Sequence, residues 1–354
     1  MNKTIQVGLI GYGMGGQLFH APFIDAIDGL NLKKIRTTKP EQIELAKKRY
    51  PNVMVVSDVE EIFKDSSIEL VVITTPNHLH FPIARKALMD EKHVVIDKPF
   101  TVSTAEADEL IELAKIQGRI LSVFQSRRFD SDFRTVQQVV GGGLLGNIVE
   151  IESRYDRFRN FLKPNVWKEE AIPGTGLLYD LGSHLIDQAL TLFGPPSELT
   201  AFVNKQRAGT LIDDNFEIIL HYPKIKATLK SGMLVREQLF RFALFGDQGI
   251  FVKRGMDVQE EALKAGFEPK SSPTWGIEPE TIWGIIHTTT SRSTVNGTVE
   301  SIPGDYRIYY KNIYDSIVTQ VPLQVTAQQA RQVIRIIELA FRSSEEKKTI
   351  PYED

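Results

Sequence analysis

The sequence of 354 residues contains no cysteine. Disulfide bonds, thiolate metal sites, iron–sulfur clusters and a cysteine nucleophile are therefore excluded. An excess of one charge sign is also missing, because 42 Lys and Arg residues stand against 45 Asp and Glu residues and leave a net charge of -3. This balance gives no electrostatic reason to expect a nucleic-acid partner.

Long apolar runs are absent as well, since none approaches the roughly 18 residues of a membrane helix. Lys3 precedes an apolar stretch, as in a signal peptide, but that stretch soon ends in a glycine turn and no A-x-A-like cleavage site follows. We therefore expect a cytoplasmic protein without a membrane partner. The length predicts two domains or one large domain.

The first third of the chain alternates strand and helix patterns. Helices are predicted at 38–50, 82–89 and 103–118, with capping boxes formed by Thr38 with Glu41 and by Ser103 with Glu106. The predicted strands are 5–10, 32–35, 53–56, 70–74, 94–97 and 120–124. This alternation predicts an α/β fold with a doubly wound parallel sheet.

The pattern changes after about residue 125, where strands follow one another with few helices. The turn at 246–249 predicts a hairpin, and Thr326 with Gln329 predicts the cap of a C-terminal helix. The predicted strands are 148–157, 199–205, 216–222, 225–234, 239–245 and 250–253; the predicted helices are 133–140, 178–193, 306–317 and 327–344. We expect an antiparallel sheet here and assign no structure to 255–303.

Residues 11–16 read Gly-Tyr-Gly-Met-Gly-Gly and follow a strand. Gly11, Gly13 and Gly16 fit the G-x-G-x-x-G pattern, whose glycines permit a tight turn, an approaching pyrophosphate and close helix packing. The pattern alone also fits a βα turn without a ligand. Its position at the start of a β/α series favours dinucleotide binding.

The end of the second strand indicates which dinucleotide. An NAD site usually carries an acidic residue there to bind the ribose 2′-hydroxyl, but this segment has no acid before Glu41. Cations and hydroxyls would instead suit a 2′-phosphate. We predict NADP over NAD, although NAD stays possible and Thr38 and the lysines could serve only as a cap and solvated charges. The candidate contacts are Arg36, Thr37, Thr38 and Lys39.

Polar residues follow two more strands, where a doubly wound sheet places its chemistry. Lys98 follows the strand at 94–97, and in a cleft its ammonium could bind a substrate oxygen; an exposed charge is the alternative. The strand at 70–74 is followed by Thr75, Pro76, Asn77 and His80.

Asp180 and His184 lie one helical turn apart in an apolar segment, with Asp187 three residues further on. A histidine beside a carboxylate is a natural proton-transfer pair near neutral pH, and a structural pair is the alternative. Asp180 and His184 supply only two possible metal ligands, and no further histidine lies nearby in the sequence and no cysteine is present. We therefore expect no metal site.

These features resemble the Gfo/Idh/MocA oxidoreductase family across essentially the whole chain. The family's Glu-Lys-Pro reads Asp-Lys-Pro at 97–99, which keeps the charge, and its Asp-x-x-x-His lies at 180–184. The amino-acid sequence at 19–22, 126–133 and 179–184 is similar to that of the NADP-dependent scyllo-inositol dehydrogenases of that family. The resemblance implies a Rossmann domain at 1–124 and a substrate-binding α/β domain with a large, mostly antiparallel open-faced sheet at 125–354.

The resemblance also implies hydride transfer between the nicotinamide and a secondary alcohol of a cyclic polyol or sugar, scyllo-inositol first. Lys98, Asp180 and His184 would be catalytic, with either Lys98 or His184 moving the proton. The Lys98–Pro99 bond is expected to be cis. The sheet is expected to form a homodimer or homotetramer, and the helix at 327–344 to pack on the Rossmann domain. Other sugar or dihydrodiol dehydrogenases, and a non-catalytic regulator, are the alternatives.

Weaker candidates complete the predicted site. Tyr12 and Met14 are expected at the cofactor with the residues named above. An ion pair of Arg128 with Asp130 or Asp132 is an alternative to substrate binding, and core packing is the alternative for the aromatic residues. The candidate substrate contacts are Gln125, Arg128, Tyr155, Arg157, Trp167 and Tyr179.

Overall fold

The computed structural model describes residues 3–164, 166–289 and 293–353. The chain divides into two compact units. The first unit comprises Met1–Ser126, Gln259–Trp275 and Tyr306–Arg331; the second comprises Arg127–Val258, Gly276–Asp305 and Gln332–Asp354. Two later segments, Gln259–Trp275 and Tyr306–Arg331, thus belong to the first unit. The domain bounds expected from the sequence, 1–124 and 125–354, place both segments in the second domain.

The first unit is built on a six-stranded parallel sheet. The strand order is β3-β2-β1-β4-β5-β6, so the chain builds the sheet outwards from β1 in one direction and then from β4 in the other. This order confirms the doubly wound sheet predicted from the sequence. Its strands are β1 (Ile5–Ile10), β2 (Leu30–Arg36), β3 (Met54–Val56), β4 (Ile68–Ile73), β5 (His93–Asp97) and β6 (Leu121–Phe124). Helices on both faces bury the central strands.

The helices of the first unit begin where local chemistry permits. Ser103 caps its helix, with Oγ accepting from the Glu106 N–H at 3.3 Å. The capping box predicted at Thr38 is wrong: the helix begins at Pro40, whose ring fixes φ and needs no N–H partner at the first helical position. The helices are α1 (Ala21–Asp25), α2 (Pro40–Arg49), α3 (Glu60–Phe63), α4 (His80–Met89) and α5 (Thr104–Ile116).

The second unit contains a nine-stranded sheet with the order β14-β13-β12-β11-β7-β10-β9-β8-β15. Only the β7–β10 pair is parallel, so the prediction of a mostly antiparallel sheet is confirmed. The strands are β7 (Ile148–Arg154), β8 (Glu198–Asn204), β9 (Asn215–His221), β10 (Lys226–Gly232), β11 (Phe242–Gly246), β12 (Gly249–Lys253), β13 (Gly284–Thr289), β14 (Thr294–Val299) and β15 (Ile350–Pro351).

Alternation along these strands gives the sheet one buried and one open face. In β9, Phe216, Ile218 and Leu220 are buried. The strand register places Phe202, Phe245 and Ile285 on the opposite face, together with ion pairs such as Lys230 with Glu217. Phe202 is 56% exposed, so this face carries apolar side chains in contact with solvent.

Five further helices complete the chain. The second unit contains α6 (Ser131–Gly141) and α7 (Ser183–Phe193); α8 (Gln259–Lys264) and α9 (Arg307–Thr319) belong to the first unit. The last helix, α10 (Ala327–Glu346), has the predicted capping box, and its first turn is tied to α5 by Arg331 and Asp108, 2.9 Å apart. No helix in the described part of the chain is both long and apolar enough for a bilayer.

Candidate functional site

The glycine turn after β1 has the geometry of a dinucleotide-binding loop. Gly11 has φ +98°, and a Cβ atom there would lie 2.7 Å from the Thr74 carbonyl oxygen. A Cβ at Gly16 would overlap the carbonyl oxygen of Gly11, whereas one at Gly13 would meet no described heavy atom within 4 Å. Gly11 and Gly16 therefore serve the turn itself, and Gly13 leaves its backbone open to an approaching group.

The helical segment after this turn begins with a π turn, Gly15–His20, and continues as α1. Gln17 fastens it to the loop, because its side chain donates to the Tyr12 carbonyl at 2.7 Å and its backbone N–H to that of Gly13. Tyr12 is buried, and Met14 is 66% exposed. The start of a helical segment beside an open loop is suited to binding phosphate.

The end of β2 lies beside the same turn, since the Gly11 N–H donates to the Arg36 carbonyl at 3.2 Å. Arg36 Nε donates to the Ser57 carbonyl at 3.0 Å. Thr37 is buried, with its hydroxyl donating to Gln42, while Thr38 and Lys39 are exposed. The segment thus presents cations and a hydroxyl at the position where a ribose would lie.

The loop after β4 is fastened by His80, which is fully buried. Its Nδ1 lies 2.8 Å from the Pro99 carbonyl and its Nε2 lies 3.0 Å from the Thr75 carbonyl. Burial lowers the pKa of His80. The ring lies between the Thr75–Asn77 loop and the loop that contains Lys98, with one nitrogen facing a carbonyl of each.

Lys98 is half-buried directly after β5, and its bond to Pro99 is cis, which confirms the expectation. The Lys98 N–H donates to Asp97 Oδ1 at 2.8 Å. Burial raises the pKa of Asp97, but the nearby His20 and the charge of Lys98 outweigh it and hold that pKa below its usual value. A carboxylate is therefore present beside Lys98 at neutral pH.

Two polar atoms at this edge of the sheet are buried without a partner among the described residues. They are the Thr75 hydroxyl after β4 and the Gln125 amide oxygen after β6. Buried polar groups normally find a hydrogen bond, and unpaired ones mark places where a ligand can bind. With the open backbone at Gly13, these atoms fit the amide, ribose and phosphate groups of a dinucleotide.

Asp180 and His184 lie in the second unit at the start of one helical segment. Asp180 is in a π turn, Leu178–Gly182, and His184 is in the first turn of α7. Lys168 Nζ lies 2.8 Å from Asp180 Oδ1, and an Arg157 nitrogen lies 4.0 Å from Oδ2. These two cations favour a charged carboxylate at Asp180, whereas His184 is buried.

Asp213 caps this helical segment from a distant part of the chain. Its carboxylate accepts from the Leu178 N–H at 2.7 Å, and its carbonyl accepts from the Leu177 N–H at 2.9 Å. A Cβ at Gly176 would overlap this carboxylate, so only glycine fits there. Burial raises the pKa of Asp213 to about 6. Neither Asp213 nor Lys168 is predicted from the sequence, and the signal for Lys168 there is the neighbouring Trp167.

The arginines after β6 form buried ion pairs in the second unit. Arg128 binds Asp187, a partner not predicted from the sequence, through two hydrogen bonds of 2.8 and 2.6 Å. Arg127 pairs with Asp130 at 3.1 Å. Because the planar guanidinium matches a carboxylate, the Arg128 pair braces α7 against the segment that precedes α6.

A cavity of about 200 Å³ in the second unit brings together Tyr155 and Arg157. The Tyr155 ring is buried, with the guanidinium carbons of Arg127, Arg157 and Arg241 between 5.3 and 5.6 Å from its centroid. Since Arg157 also faces Asp180, the cavity adjoins that carboxylate. Aromatic faces and arginine forks suit a hydroxyl-rich ligand.

The remaining predicted contacts are divided between packing and solvent. Tyr179 is buried with its ring 6.1 Å from that of Phe341 in α10. Trp167 is half-buried beside Lys168.

The predicted site residues are divided between the two units. The predicted cofactor residues, Lys98 and Gln125 all lie in the first unit, whereas Arg128, the cavity, Asp180 and His184 lie in the second. Within the described residues, no group of three His, Asp or Glu side chains could hold a metal ion.

Two family models match this chain. Residues 5–125 match the model described as oxidoreductase family, NAD-binding Rossmann fold. Residues 137–352 match the model described as oxidoreductase family, C-terminal alpha/beta domain. Together they cover both parallel and antiparallel sheets.

Similar proteins span the whole length. The chain is 41% identical to the uncharacterized oxidoreductase YdgJ of Escherichia coli over 99% of both chains. It is 39% identical to the scyllo-inositol 2-dehydrogenase (NADP(+)) IolW of Bacillus subtilis, over 99% of this chain and 96% of IolW. The solved structure of yvaA from Bacillus subtilis matches with a TM-score of 0.96 at 39% identity, covering 100% of this chain and 99% of that one.

Proposed function

This chain belongs to the Gfo/Idh/MocA oxidoreductase family, and we propose that it is an NADP-dependent dehydrogenase of cyclic polyols, with scyllo-inositol as its substrate. The observation that carries this proposal is the set of groups at the carboxyl edge of the parallel sheet. There, the open backbone at Gly13 and the half-buried Lys98 follow strands of one sheet. A dinucleotide-binding loop and a cation at the carboxyl ends of strands in one parallel sheet suit hydride transfer to a nicotinamide.

The preference for NADP is supported by charge. Arg36 and Lys39 are cationic, and no acidic residue stands among 36–39 to bind a ribose 2′-hydroxyl. A 2′-phosphate gains charge-assisted hydrogen bonds from such groups. The name of IolW, which states NADP(+), agrees with this assignment.

In the oxidising direction, the proposed chemistry removes a proton from a substrate hydroxyl and a hydride from its carbon. Bound NADP supplies the hydride acceptor at nicotinamide C4. His184 takes the hydroxyl proton as general base, and Lys98 donates a hydrogen bond that stabilises the developing negative charge on that oxygen. Asp180, which lies beside Lys168 and Arg157, accepts a hydrogen bond from a second substrate hydroxyl. Reduction runs these steps in reverse.

Two variants decide which group moves the proton. Lys98→Ala is expected to lower turnover by orders of magnitude while leaving NADP binding intact, and His184→Ala is expected to abolish the acidic-limb pH dependence of kcat/KM for alcohol oxidation. If His184→Ala keeps the wild-type pH profile and Lys98→Ala loses it, Lys98 is the proton-moving group. Wild-type turnover in either variant contradicts the role of that residue.

The open face of the second sheet supports a homodimer or homotetramer. Phe202, Phe245 and Ile285 are exposed on it, and apolar side chains in contact with solvent favour burial against another surface. A non-catalytic regulator is disfavoured because the chain keeps Lys98 and His184. The choice among sugars, dihydrodiols and inositols rests on similarity to IolW.

The initial rate of nicotinamide reduction tests the substrate. The purified protein is assayed with NADP and with NAD, using scyllo-inositol, myo-inositol and glucose. The proposal predicts a rate with NADP and scyllo-inositol far above the others. If NADP binds but none of these polyols reacts, the substrate assignment is wrong and the dinucleotide-binding assignment stands.

A further inference from the structure

His20 is a fully buried histidine at the end of the π turn that follows the glycine loop. Its Nδ1 lies 2.6 Å from the hydroxyl oxygen of Tyr310 in α9, a residue 290 positions away in the sequence. Its ring centroid lies 4.6 Å from that of Phe124 at the end of β6. The imidazole is therefore fixed in one orientation by packing and by a hydrogen bond.

The other nitrogen of His20 points to the Lys98 loop. Nε2 lies 3.7 Å from Asp97 Oδ1, and it has no hydrogen-bond partner among the described residues. The same Oδ1 accepts the Lys98 backbone N–H at 2.8 Å. The second oxygen, Oδ2, would lie 3.0 Å from a Cβ atom at Gly15, so the carboxylate is confined between the helical segment and Lys98.

The proton positions in this row follow from the ionisation of its ends. Burial raises the pKa of Tyr310 well above its usual value, so the phenol keeps its proton. Because the Asp97 carboxylate can only accept a hydrogen bond, the row requires the His20 proton on Nε2, and His20 Nδ1 then accepts from the Tyr310 hydroxyl. The groups facing Asp97 are His20, Lys98 and His80; those facing Tyr310 are His20, Tyr309 and Asp97.

We propose that His20 and Tyr310 are positioning residues for Lys98: the row Tyr310–His20–Asp97 fixes the carboxylate that accepts the Lys98 backbone N–H, and with it the orientation of Lys98. This inference rests on the proposed function, in which Lys98 binds the reacting oxygen. Because a misplacement of a catalytic group lowers turnover more than binding, the row controls kcat rather than cofactor affinity. A helix from the last 50 residues thereby acts on a loop near residue 100.

The neighbouring Tyr309 provides a matched control. It is as deeply buried as Tyr310, and its hydroxyl donates to Ser122 at 2.8 Å, away from the Lys98 loop. Tyr309→Phe and Tyr310→Phe each remove one buried hydroxyl and one hydrogen bond, so similar losses of thermal stability are expected. Only Tyr310→Phe breaks the row.

The experiment compares both variants with the full-length wild type in kcat, in KM for NADP and in the tautomer of His20. The chain has seven histidines, so ¹⁵N-histidine labelling gives a tractable spectrum, with His20→Gln assigning the His20 signals. We expect wild-type and Tyr309→Phe protein to show the Nε2-protonated tautomer. Tyr310→Phe is expected to shift the His20 Nδ1 signal, because that nitrogen loses its hydrogen bond, and to lose at least tenfold in kcat, with KM for NADP changed less than threefold.

Equal kcat values for Tyr309→Phe and Tyr310→Phe in an active enzyme overturn the inference and leave the proposed function intact. An inactive wild type overturns the proposed function instead. In that case the histidine spectrum still decides the structural part: an Nδ1-protonated His20, or an Nδ1 signal unchanged in Tyr310→Phe, overturns the row.

Discussion

Lys168 Nζ lies 2.8 Å from Asp180 Oδ1. The lysine belongs to a short 3₁₀ turn, Trp167–Glu169, and the carboxylate belongs to the π turn before α7. Glu169, the next residue, is bound by Arg207 at 2.9 Å, so the turn that presents Lys168 is anchored to the second unit. The carboxylate of Asp180, which we propose binds substrate, is therefore paired with Lys168, and the turn that contains Lys168 is held in place by the Arg207–Glu169 ion pair.

Lys168→Met tests this pairing. The Lys168 side chain is half-exposed, so the ion pair contributes at most about 1 kcal/mol to stability and the variant should fold normally. Without the cation, the charge and orientation of Asp180 change, and we expect KM for the polyol to rise about tenfold, which is about 1.4 kcal/mol of binding free energy. Steady-state kinetics measure this. Lys163→Met, in the same exposed segment, is the control, and an equal KM in both variants contradicts the pairing.

Gly13→Ala separates ligand binding from folding. A Cβ atom meets no described atom within 4 Å at Gly13, but it overlaps the Gly11 carbonyl at Gly16. We expect Gly13→Ala to keep the wild-type melting temperature and to weaken NADPH binding at least tenfold, because the methyl group occupies the space that a pyrophosphate needs. Gly16→Ala is expected to lower the melting temperature. Tight NADPH binding by folded Gly13→Ala protein would show that the phosphates lie elsewhere.

Arg36→Gln tests the choice of cofactor. Hydrogen bonds to charged groups contribute about 1.5 to 3 kcal/mol, so loss of the guanidinium should raise Kd for NADPH about tenfold or more and leave Kd for NADH nearly unchanged. Fluorescence titration with each nucleotide measures both constants. Lys47→Gln removes an exposed cation from the last turn of α2 and serves as the control. Equal weakening of NADPH and NADH by Arg36→Gln would place the guanidinium away from the 2′-phosphate.

Asp213→Asn tests the buried cap of the segment that contains Asp180. The pKa of Asp213 is about 6 in the folded protein, above the ordinary 3.8, so the folded state holds this proton more tightly than the unfolded chain does. Its stabilising effect is complete below about pH 4 and is lost as pH rises through 6. The asparagine variant stays neutral, and it should gain up to about 3 kcal/mol over wild type by pH 8.

Melting temperatures from pH 4.5 to 8 measure this difference. Asp247→Asn is a control of opposite sign, because hydrogen bonds from Asn147 lower the pKa of Asp247. A gain for Asp213→Asn that does not depend on pH would show that Asp213 is ionised throughout.

The parallel sheet could be predicted because its strands are short, apolar and separated by helices, as for β1 (Ile5–Ile10). The start of α2 was misplaced because Pro40 supplies the first helical residue without a side-chain cap. Within region 255–303, strand β14 (Thr294–Val299) could not be predicted because it is almost entirely exposed and has no buried apolar face. Residues 290–292 lie outside the described part.

The site was harder to predict where its contacts join distant segments. Arg128 binds Asp187, which lies 59 residues further along the chain. Asp213 accepts a hydrogen bond from the N–H of Leu178, which lies 35 residues before it. No local pattern marks such pairs, since each partner looks like an ordinary charged residue in the sequence. His20 is similar, because Tyr310 meets it only once α9 has returned to the first unit.

The central claim is hydride transfer between a polyol carbon and NADP. Its most direct test uses scyllo-inositol carrying deuterium on its ring carbons, with mass spectrometry of the reduced nucleotide. The proposed function predicts NADPH that contains one deuterium, formed by the wild-type enzyme orders of magnitude faster than by Lys98→Ala under the same conditions. Reduced nucleotide without deuterium, or no reduction at all by protein that binds NADP, would contradict it.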